Sequence, residues 1–272
     1  MKPFWPRIVA PFLAMLLLPA ALHAEPREHL TEFDVMYGIL PIGTASFLIK
    51  VDGENYMLGA KGKTVGVAEM LAPGTGEAMS RGHITGNGVV AEHHTVLYKE
   101  KRNSREHLLE LDFHEGDVEK VRLSPDDRKP KKSKKWVKIT EEQLRQVIDP
   151  ASSIIVAVER EKANDPRAVC ERRLNVYDGD TRFDIQLHYK ATKPVTTKGY
   201  RGYAFVCQLR YIPVSGHKSG QKNINYMRDN KNMEIWLAPM AKSNLYTPIR
   251  VEVPTWVGTF SAIPRFFGTP SN

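Results

Sequence analysis

The sequence predicts a mainly β protein built on a long antiparallel sheet, and two observations indicate this fold class. The first is a period-two alternation of apolar and polar residues, which places one set of side chains on a core face and the other in water. The second is a series of turn signals between the alternating segments, such as Asn87-Gly88. Because strands joined by tight turns pair antiparallel, the sheet is expected to be long and meandering.

The clearest predicted strand spans residues 183–189, where four apolar residues alternate with polar ones and Asp184 belongs to the water face. Residues 203–211 repeat this pattern, and there Cys207 falls on the apolar face. Earlier in the chain, residues 43–51 alternate up to a turn at Asp52-Gly53. The sequence therefore predicts a core-facing Cys207 and a hairpin at the Asp-Gly turn.

A further hairpin is predicted across Glu115-Gly116-Asp117, between apolar residues on either side. Two short helices are predicted in the middle of the chain: one after Thr140, which has capping-box spacing to Gln143, and one after Asp149-Pro150. The second would carry the apolar residues Ile154, Ile155, Ala157 and Val158. Such a helix should pack against the concave side of the sheet and fill part of its interior. We also consider a helical turn near residues 65–71.

The N-terminus has the pattern of a secretory signal peptide. Lys2 and Arg7 flank the start of an apolar run, and small residues follow up to Ala24. The run is shorter than the ~20 residues that a spanning helix needs, so a membrane anchor is the less favoured alternative. Cleavage of residues 1–24 would leave a single β-rich domain, residues 25–272, in the periplasm with a formal charge of +6 and no membrane span.

The sequence contains two cysteines, Cys170 and Cys207, and both lie in the part expected to be exported. Disulfides form and persist outside the cytoplasm, so we expect these residues to be paired. Closing a loop of this length would stabilise the fold by ~4 kcal/mol on the chain-entropy model. A redox-active role is less favoured, because the Cys-X-X-Cys spacing is absent.

The sequence has no recognisable catalytic or metal-binding motif: His-Glu-X-X-His, Gly-X-Ser-X-Gly and the phosphate-binding loop are all absent. His93 and His94 are neighbours, so on a strand they face opposite sides and cannot share a metal ion. Asp178-Gly179-Asp180 favours a turn over a calcium loop. We therefore expect no catalytic residue, no metal and no cofactor, and rank an enzyme with an unrecognised site lowest.

The most unusual local composition is a basic segment at residues 128–138. Its candidate contacts for an anionic surface are Lys129, Lys131, Lys132, Lys134, Lys135 and Trp136. In an exported protein the available partners are anionic lipid headgroups and phosphate-rich or carboxylate-rich envelope polymers rather than nucleic acid. A solvated loop without function is the alternative.

Several short motifs stand in a fixed order along the chain. They are Tyr37-Gly38 before Ile42-Gly43-Thr44-Ala45, Asp149-Pro150-Ala151-Ser152-Ser153, Val176-Tyr177-Asp178-Gly179, Tyr200-Arg201-Gly202, Cys207, Tyr211-Ile212-Pro213-Val214-Ser215-Gly216 and Glu234-Ile235-Trp236-Leu237-Ala238-Pro239. Their order and spacing resemble a bacterial family of exported proteins called domain of unknown function 3108. The resemblance implies a long curved antiparallel sheet, a β-spiral or half-barrel, wrapped around one or two short helices. It is similar to envelope β-spiral proteins and to carriers of bacterial lipoproteins, and it implies no catalytic residue.

The favoured hypothesis is a non-catalytic envelope protein that binds a lipid, an acyl chain or a peptide in the groove of the curved sheet. The alternative is a scaffold that docks a partner protein, a lipoprotein or the cell wall without a small ligand. Its contact candidates, besides the basic segment, are Trp256, Phe260, Phe266 and Phe267. The two hypotheses differ in whether the space inside the sheet is empty and apolar or packed solid.

Overall fold

The computed structural model describes residues 26–102, 104–126, 135–241 and 243–270. The predicted signal peptide, residues 1–24, lies outside them. The strands are β1 (Arg27–Tyr37), β2 (Leu40–Asp52), β3 (Asn55–Thr64), β4 (Gly74–Thr85), β5 (Gly88–Glu100), β6 (Arg105–His114), β7 (Asp117–Ser124), β8 (Val156–Ala157), β9 (Arg172–Tyr177), β10 (Arg182–Thr197), β11 (Tyr200–Ser215), β12 (Met233–Pro239), β13 (Leu245–Thr255) and β14 (Gly258–Gly268). The helices are α1 (Gly66–Leu71), α2 (Pro166–Cys170) and α3 (Lys222–Asp229).

The strands form one antiparallel sheet in the order β7-β6-β5-β4-β3-β2-β1-β14-β13-β12-β11-β10-β9, with β8 paired to β13. We call β2–β7 the N-terminal half and β9–β14 the C-terminal half; β1 joins them by pairing with both β2 and β14. In the described residues the sheet stays open, with β7 and β9 as its edges. The predicted fold class, a curved antiparallel sheet with a few short helices, is confirmed.

The two edges of the sheet are bridged by the chain that leads into residues 149–158, which we call the central segment. The N–H of Val147 donates to the carbonyl of Gly116 in the β6–β7 turn at 2.8 Å, and the N–H of Ile148 donates to Asn175 of β9 at 2.9 Å. Val147 is buried with Phe113. The sheet therefore curls around the central segment.

Three local predictions are confirmed. The turns at Asp52-Gly53 and Glu115-Gly116 join β2 to β3 and β6 to β7, and Asn87 lies in the β4–β5 turn. Helix α1 occupies the predicted helical turn. After Thr140 the chain forms a 3-10 turn, and the N–H of Thr140 donates to Gln143 Oε1 at 3.2 Å, as the capping-box spacing indicated.

The helix predicted after Asp149-Pro150 is wrong. A single 3-10 turn, Ser152–Ile154, is followed by strand β8, which pairs with β13. The side chains of Ile155 and Ala157 pack against the N-terminal half of the sheet, and those of Val156 and Val158 pack against the C-terminal half. A strand that is buried on both sides reads as a continuous apolar run, which the sequence pattern cannot distinguish from a buried helix.

The predicted disulfide is present: Cys170, at the end of α2, is joined to Cys207 of β11, with their Cα atoms 5.4 Å apart. Both cysteines are fully buried, as the alternation in β11 indicated for Cys207. Asp184 corrects the same kind of reasoning, because it was assigned to the water face and is in fact buried. Arg182 and Arg173 both donate to its carboxylate, and this pairing compensates the burial of the charge.

Candidate functional site

The central segment is held in place by a buried carboxylate, Asp149, which is fully inaccessible to solvent. Its Oδ1 atom accepts hydrogen bonds at 2.9 Å from the backbone N–H groups of Ala151 and Ser152, which shapes the 3-10 turn. The same oxygen accepts from Ser80 Oγ of β4 at 2.8 Å, and His94 Nδ1 of β5 lies 3.1 Å away. The carboxylate thus ties the central segment to the inner face of the N-terminal half.

The direction of these hydrogen bonds follows from the number of protons available. The hydroxyl of Ser152 donates to Asp149 Oδ2, so the Tyr56 hydroxyl, 2.7 Å from Ser152 Oγ, is the donor to it. The hydroxyl of Ser80 also donates to Asp149, so His94 presents an N–H at Nδ1 to Ser80 Oγ at 2.8 Å. The chain of donors ends on the carboxylate, as a fully satisfied buried polar network requires.

The environment keeps this carboxyl group ionised. Burial by itself would raise the pKa of Asp149, but the hydrogen bond and charge interaction with His94, together with the hydrogen bonds of Ser152, lower its pKa overall. Burial also raises the pKa of the neighbouring Tyr56 hydroxyl, and there it prevails and keeps the hydroxyl protonated as a donor. The network is therefore one anion surrounded by donors.

Ser80, His94 and Asp149 are the residue types of a hydrolase triad, but their geometry is different. In such a triad the imidazole lies between the serine and the carboxylate and uses one nitrogen for each. Here both Ser80 Oγ and Asp149 Oδ1 approach the same nitrogen of His94, and the serine donates its proton to the carboxylate. Ser80 is also completely buried. This arrangement stabilises the fold and presents no nucleophile.

Beside this network lies a groove with a volume of about 660 Å³ on the inner face of the N-terminal half. Its walls come from six neighbouring strands, β2 to β7, and from the start of the central segment. The main lining residues are Phe47, Ala60, Ala78, Val96, Tyr98, Leu108, Leu109, Leu123, Pro150, Ala151 and Ile154. The lining is predominantly apolar, and the volume lies in the range of about 300–1,000 Å³ that is usual for small-molecule sites.

One wall of the groove depends on a glycine. Gly179, in the β9–β10 turn, has φ +93°, and a Cβ built there would lie 2.6 Å from Leu109 Cδ1 of β6. The absence of a side chain lets this turn from one edge of the sheet reach a strand near the other edge. Asp178 shapes the turn, since its Oδ1 accepts from the N–H of Asp180 at 2.9 Å. Both aspartates line the groove, as do His94, His107 and Ser124, so most of its few polar side chains are ionisable.

The structure separates the residues that the sequence singled out. His93 and His94 point to opposite faces, and His93 Nδ1 contacts Asp112 Oδ1 at 2.6 Å. Lys129, Lys131, Lys132 and Lys134 lie outside the described residues. Lys135 and Trp136 are described, and their backbone runs beside residues 217–219: the N–H of Ser219 donates to the Lys135 carbonyl at 2.8 Å.

The aromatic contact candidates near the C-terminus also divide. Phe267 is a core residue, packed edge-on against His29 with ring centroids 4.3 Å apart, and Phe266 is half-buried. Trp256 and Phe260 are exposed.

The network around Asp149 was not predicted from the sequence. Its motif, Asp149-Pro150-Ala151-Ser152-Ser153, contributed only to the family resemblance, and Tyr56 and Ser80 were not considered as sites. Ser80 is 69 residues from Asp149, and Tyr56 is 96 residues from Ser152. Only the pairing of distant strands brings these residues together.

The comparisons with known proteins agree with this architecture. The profile of a family described as "Protein of unknown function (DUF3108)" matches residues 32–263. A solved structure, the β-barrel-like protein of domain of unknown function DUF1849 from Brucella abortus, superposes with a TM-score of 0.52 at 10% sequence identity. The match covers 90% of this chain and 98% of that one. At this identity the likeness concerns the fold alone. A search of curated proteins gives no match.

Proposed function

This chain belongs to the DUF3108 family of proteins of unknown function, and we propose that it is a non-catalytic periplasmic protein that binds an acyl chain of an envelope ligand in the groove. The carrying observation is the groove itself, about 660 Å³ and lined mainly by apolar side chains. A lipid or a lipid-modified peptide would place its acyl chain there. Export to the periplasm is supported by the signal-like residues 1–24 and by the disulfide between Cys170 and Cys207.

An acyl chain suits the groove better than an extended peptide. A bound peptide needs partners for a backbone N–H and C=O at every residue. The inner walls instead offer the side chains of Ala78, Val96 and Leu109, because β4, β5 and β6, which carry them, are each paired with a strand on both sides. Polar groups are few, with Asp178 and His107 among them. Such a site would bind the apolar part of an amphipathic ligand and leave its headgroup outside.

The first test is to export the full chain, purify the mature protein without removing lipid, and compare native with denaturing mass spectrometry. A stoichiometric extra mass that disappears on denaturation, and that matches a molecule with an acyl chain, is the expected result. A bare polypeptide mass, together with no uptake of a fluorescent fatty acid, would contradict the proposal and favour the scaffold hypothesis.

A groove-filling variant makes the test specific. Val96 lies on the groove wall, and Val96→Trp should occupy part of its volume and weaken fatty-acid binding by about tenfold or more, because about 1.4 kcal/mol of lost contact suffices for that factor. Its matched control is Thr95→Trp, on the same strand but on the opposite face of the sheet, where Thr95 lines a second, smaller pocket of about 420 Å³. Circular dichroism and urea unfolding check that both variants fold. Equal binding by the two variants would place the ligand elsewhere.

A further inference from the structure

At one end of the strands, the sheet carries an unusual set of exposed apolar side chains. They lie in the β1–β2 turn, in α1 and in the β13–β14 turn, and we call them the apolar end: Ile39, Val67, Met70, Leu71, Trp256 and Val257. Ile39 is 90% exposed, and Met70 and Trp256 are both 79% exposed. Large apolar side chains that are exposed together, rather than singly, indicate an interaction surface.

The strand pairing shows that these three segments are neighbours. Tyr37, at the end of β1, pairs with Leu40 on one side and Phe260 on the other. Thr64, at the end of β3, pairs with Gly43 near the start of β2. The β1–β2 turn therefore lies between α1, which follows β3, and the β13–β14 turn. The two turns and α1 therefore project from the same end of the strands.

One side of the apolar end is basic. Residues 216–232, which include α3, contain four lysines and arginines and one acid, Asp229, and that acid is paired with Arg228. This segment lies against the β13–β14 hairpin, because Asn230 Nδ2 donates to the carbonyl of Pro254 at 2.6 Å. On the other side, the N–H of Lys101 donates to the carbonyl of Pro73, just after α1, and Lys101 Nζ is paired with Glu69 of α1 at 3.1 Å. Exposed cations in excess over acids thus flank the apolar tips on the α3 side.

We propose that the apolar end docks on the surface of a bilayer that carries anionic headgroups. The side chains project from convex turns, which a deformable lipid surface accepts, whereas a protein partner would need a matching cavity for each tip. Tryptophan prefers the membrane–water interface, and lysines and arginines near it are attracted to anionic lipids. Interfacial binding grows with the apolar area inserted and with this attraction, so the two observations act in the same direction.

Membrane docking is a separate property from ligand binding and does not depend on whether the groove is occupied. The position of the groove is consistent with docking. Tyr98 and His107 line the groove, and they come from the ends of β5 and β6 that lie beside the apolar end. An acyl chain that leaves the groove there would meet the bilayer.

The test uses the purified mature protein and flotation with two kinds of vesicle. One contains phosphatidylglycerol and phosphatidylethanolamine in equal amounts, and the other is pure phosphatidylcholine. We expect the protein to float with the anionic vesicles and to be released by salt. The double variant Trp256→Ser/Met70→Ser should lower the partition coefficient by about tenfold or more, since both side chains are lost from the inserted area.

The matched control is Tyr203→Ser, which removes an exposed aromatic side chain near the opposite end of the strands. This variant should float as the parent protein does. Failure of the parent to float with anionic vesicles, or equal flotation of the double variant, overturns the docking proposal. So does a dimer that the double variant converts to a monomer, because the apolar end would then be a self-association surface. Val96→Trp should still float, so failure of the groove proposal and failure of the docking proposal give different results.

Discussion

The two halves of the sheet cover their inner faces differently. On the C-terminal half, Val156 and Val158 of the central segment pack with Val169 of α2 and Leu237 of β12 into a closed core. The disulfide between Cys170 and Cys207 fixes α2 to that core. On the N-terminal half the central segment packs mainly against β2 and β3 and contacts β4 and β5, and the rest of the inner face of β2–β7 lines the groove.

One short strand, β8, thus contributes to both halves of the sheet. The side chains of residues 155–158 point alternately towards the two halves. On the C-terminal half they pack with helix α2. On the N-terminal half only Ile155 and Ala157 pack against the sheet, and the buried carboxylate of Asp149 binds Ser80 of β4. The apolar side chains and the helix that cover the inner face are thus concentrated on the C-terminal half of the sheet. We interpret the C-terminal half as the stabilising part and the N-terminal half as the part that binds.

The largest loss of stability is expected from removing the carboxylate of Asp149, the anchor that ties the central segment to the N-terminal half. Asp149→Ala removes the acceptor of Ser80, Ser152 and His94 and leaves buried donors unpaired, so the free energy of unfolding should fall by up to about 5 kcal/mol. Urea unfolding measures the loss. Hydrogen exchange should rise more in β3–β5 than in β10–β12, which the disulfide secures.

The control for the anchor is Asp165→Ala. Asp165 is an N-cap that accepts from the N–H of Arg167 at 2.9 Å, and its loss should cost about 1 kcal/mol. If Asp149→Ala costs no more than this control, the buried network does not support the N-terminal half as we describe.

Removing the disulfide should act on the other half. Cys170→Ala/Cys207→Ala opens a link that spans 37 residues, and the expected loss in the free energy of unfolding is about 4 kcal/mol by loop-closure entropy. Exchange should increase in α2 and β11, while the folded variant should still take up fatty acid. If ligand uptake falls as much as stability does, the two halves do not have the separate roles that we assign to them.

Sequence reasoning succeeded where the pattern is local. Alternation and Asp-Gly or Asn-Gly turns predicted the strands and hairpins, since the side-chain direction in a strand has a period of two and the turn residues set the connection. The pairing of Cys170 with Cys207 followed from the expected compartment and from there being only two cysteines. These features depend on neighbours in the chain or on simple counting.

Sequence reasoning failed where distant parts of the chain decide the structure. The run from Ile154 to Val158 is extended because both halves of the sheet offer it an apolar face, which no local pattern contains. Asp184 is buried because two arginines reach its carboxylate. The groove depends on how far the sheet curls and on how far the central segment extends, so the sequence alone could not decide whether the interior is filled.

Stability should also depend on pH through His29 of β1, the strand where the two halves meet. Burial lowers the pKa of His29 from 6.5 to about 4, and His29 contacts Phe267 of β14 and Thr31 of its own strand. Below pH 6.5 the unfolded chain binds a proton that the folded chain refuses, so stability should fall between pH 6.5 and 4, by about 3 kcal/mol from this pKa difference. Urea unfolding across this range measures the slope, and His29→Gln should flatten it.

Asp149 behaves oppositely along the pH axis. Its pKa is lowered, so the stability it contributes is complete above the ordinary carboxyl pKa of 3.8 and is lost only as the pH falls below that value towards the folded pKa. Mild acid should therefore loosen the strands around His29 while the anchor of the N-terminal half stays ionised. Hydrogen exchange at pH 5 checks this: more exchange in β13 and β14 than in β3–β5 is expected, and the reverse order would show that His29 does not control the mild-acid loss.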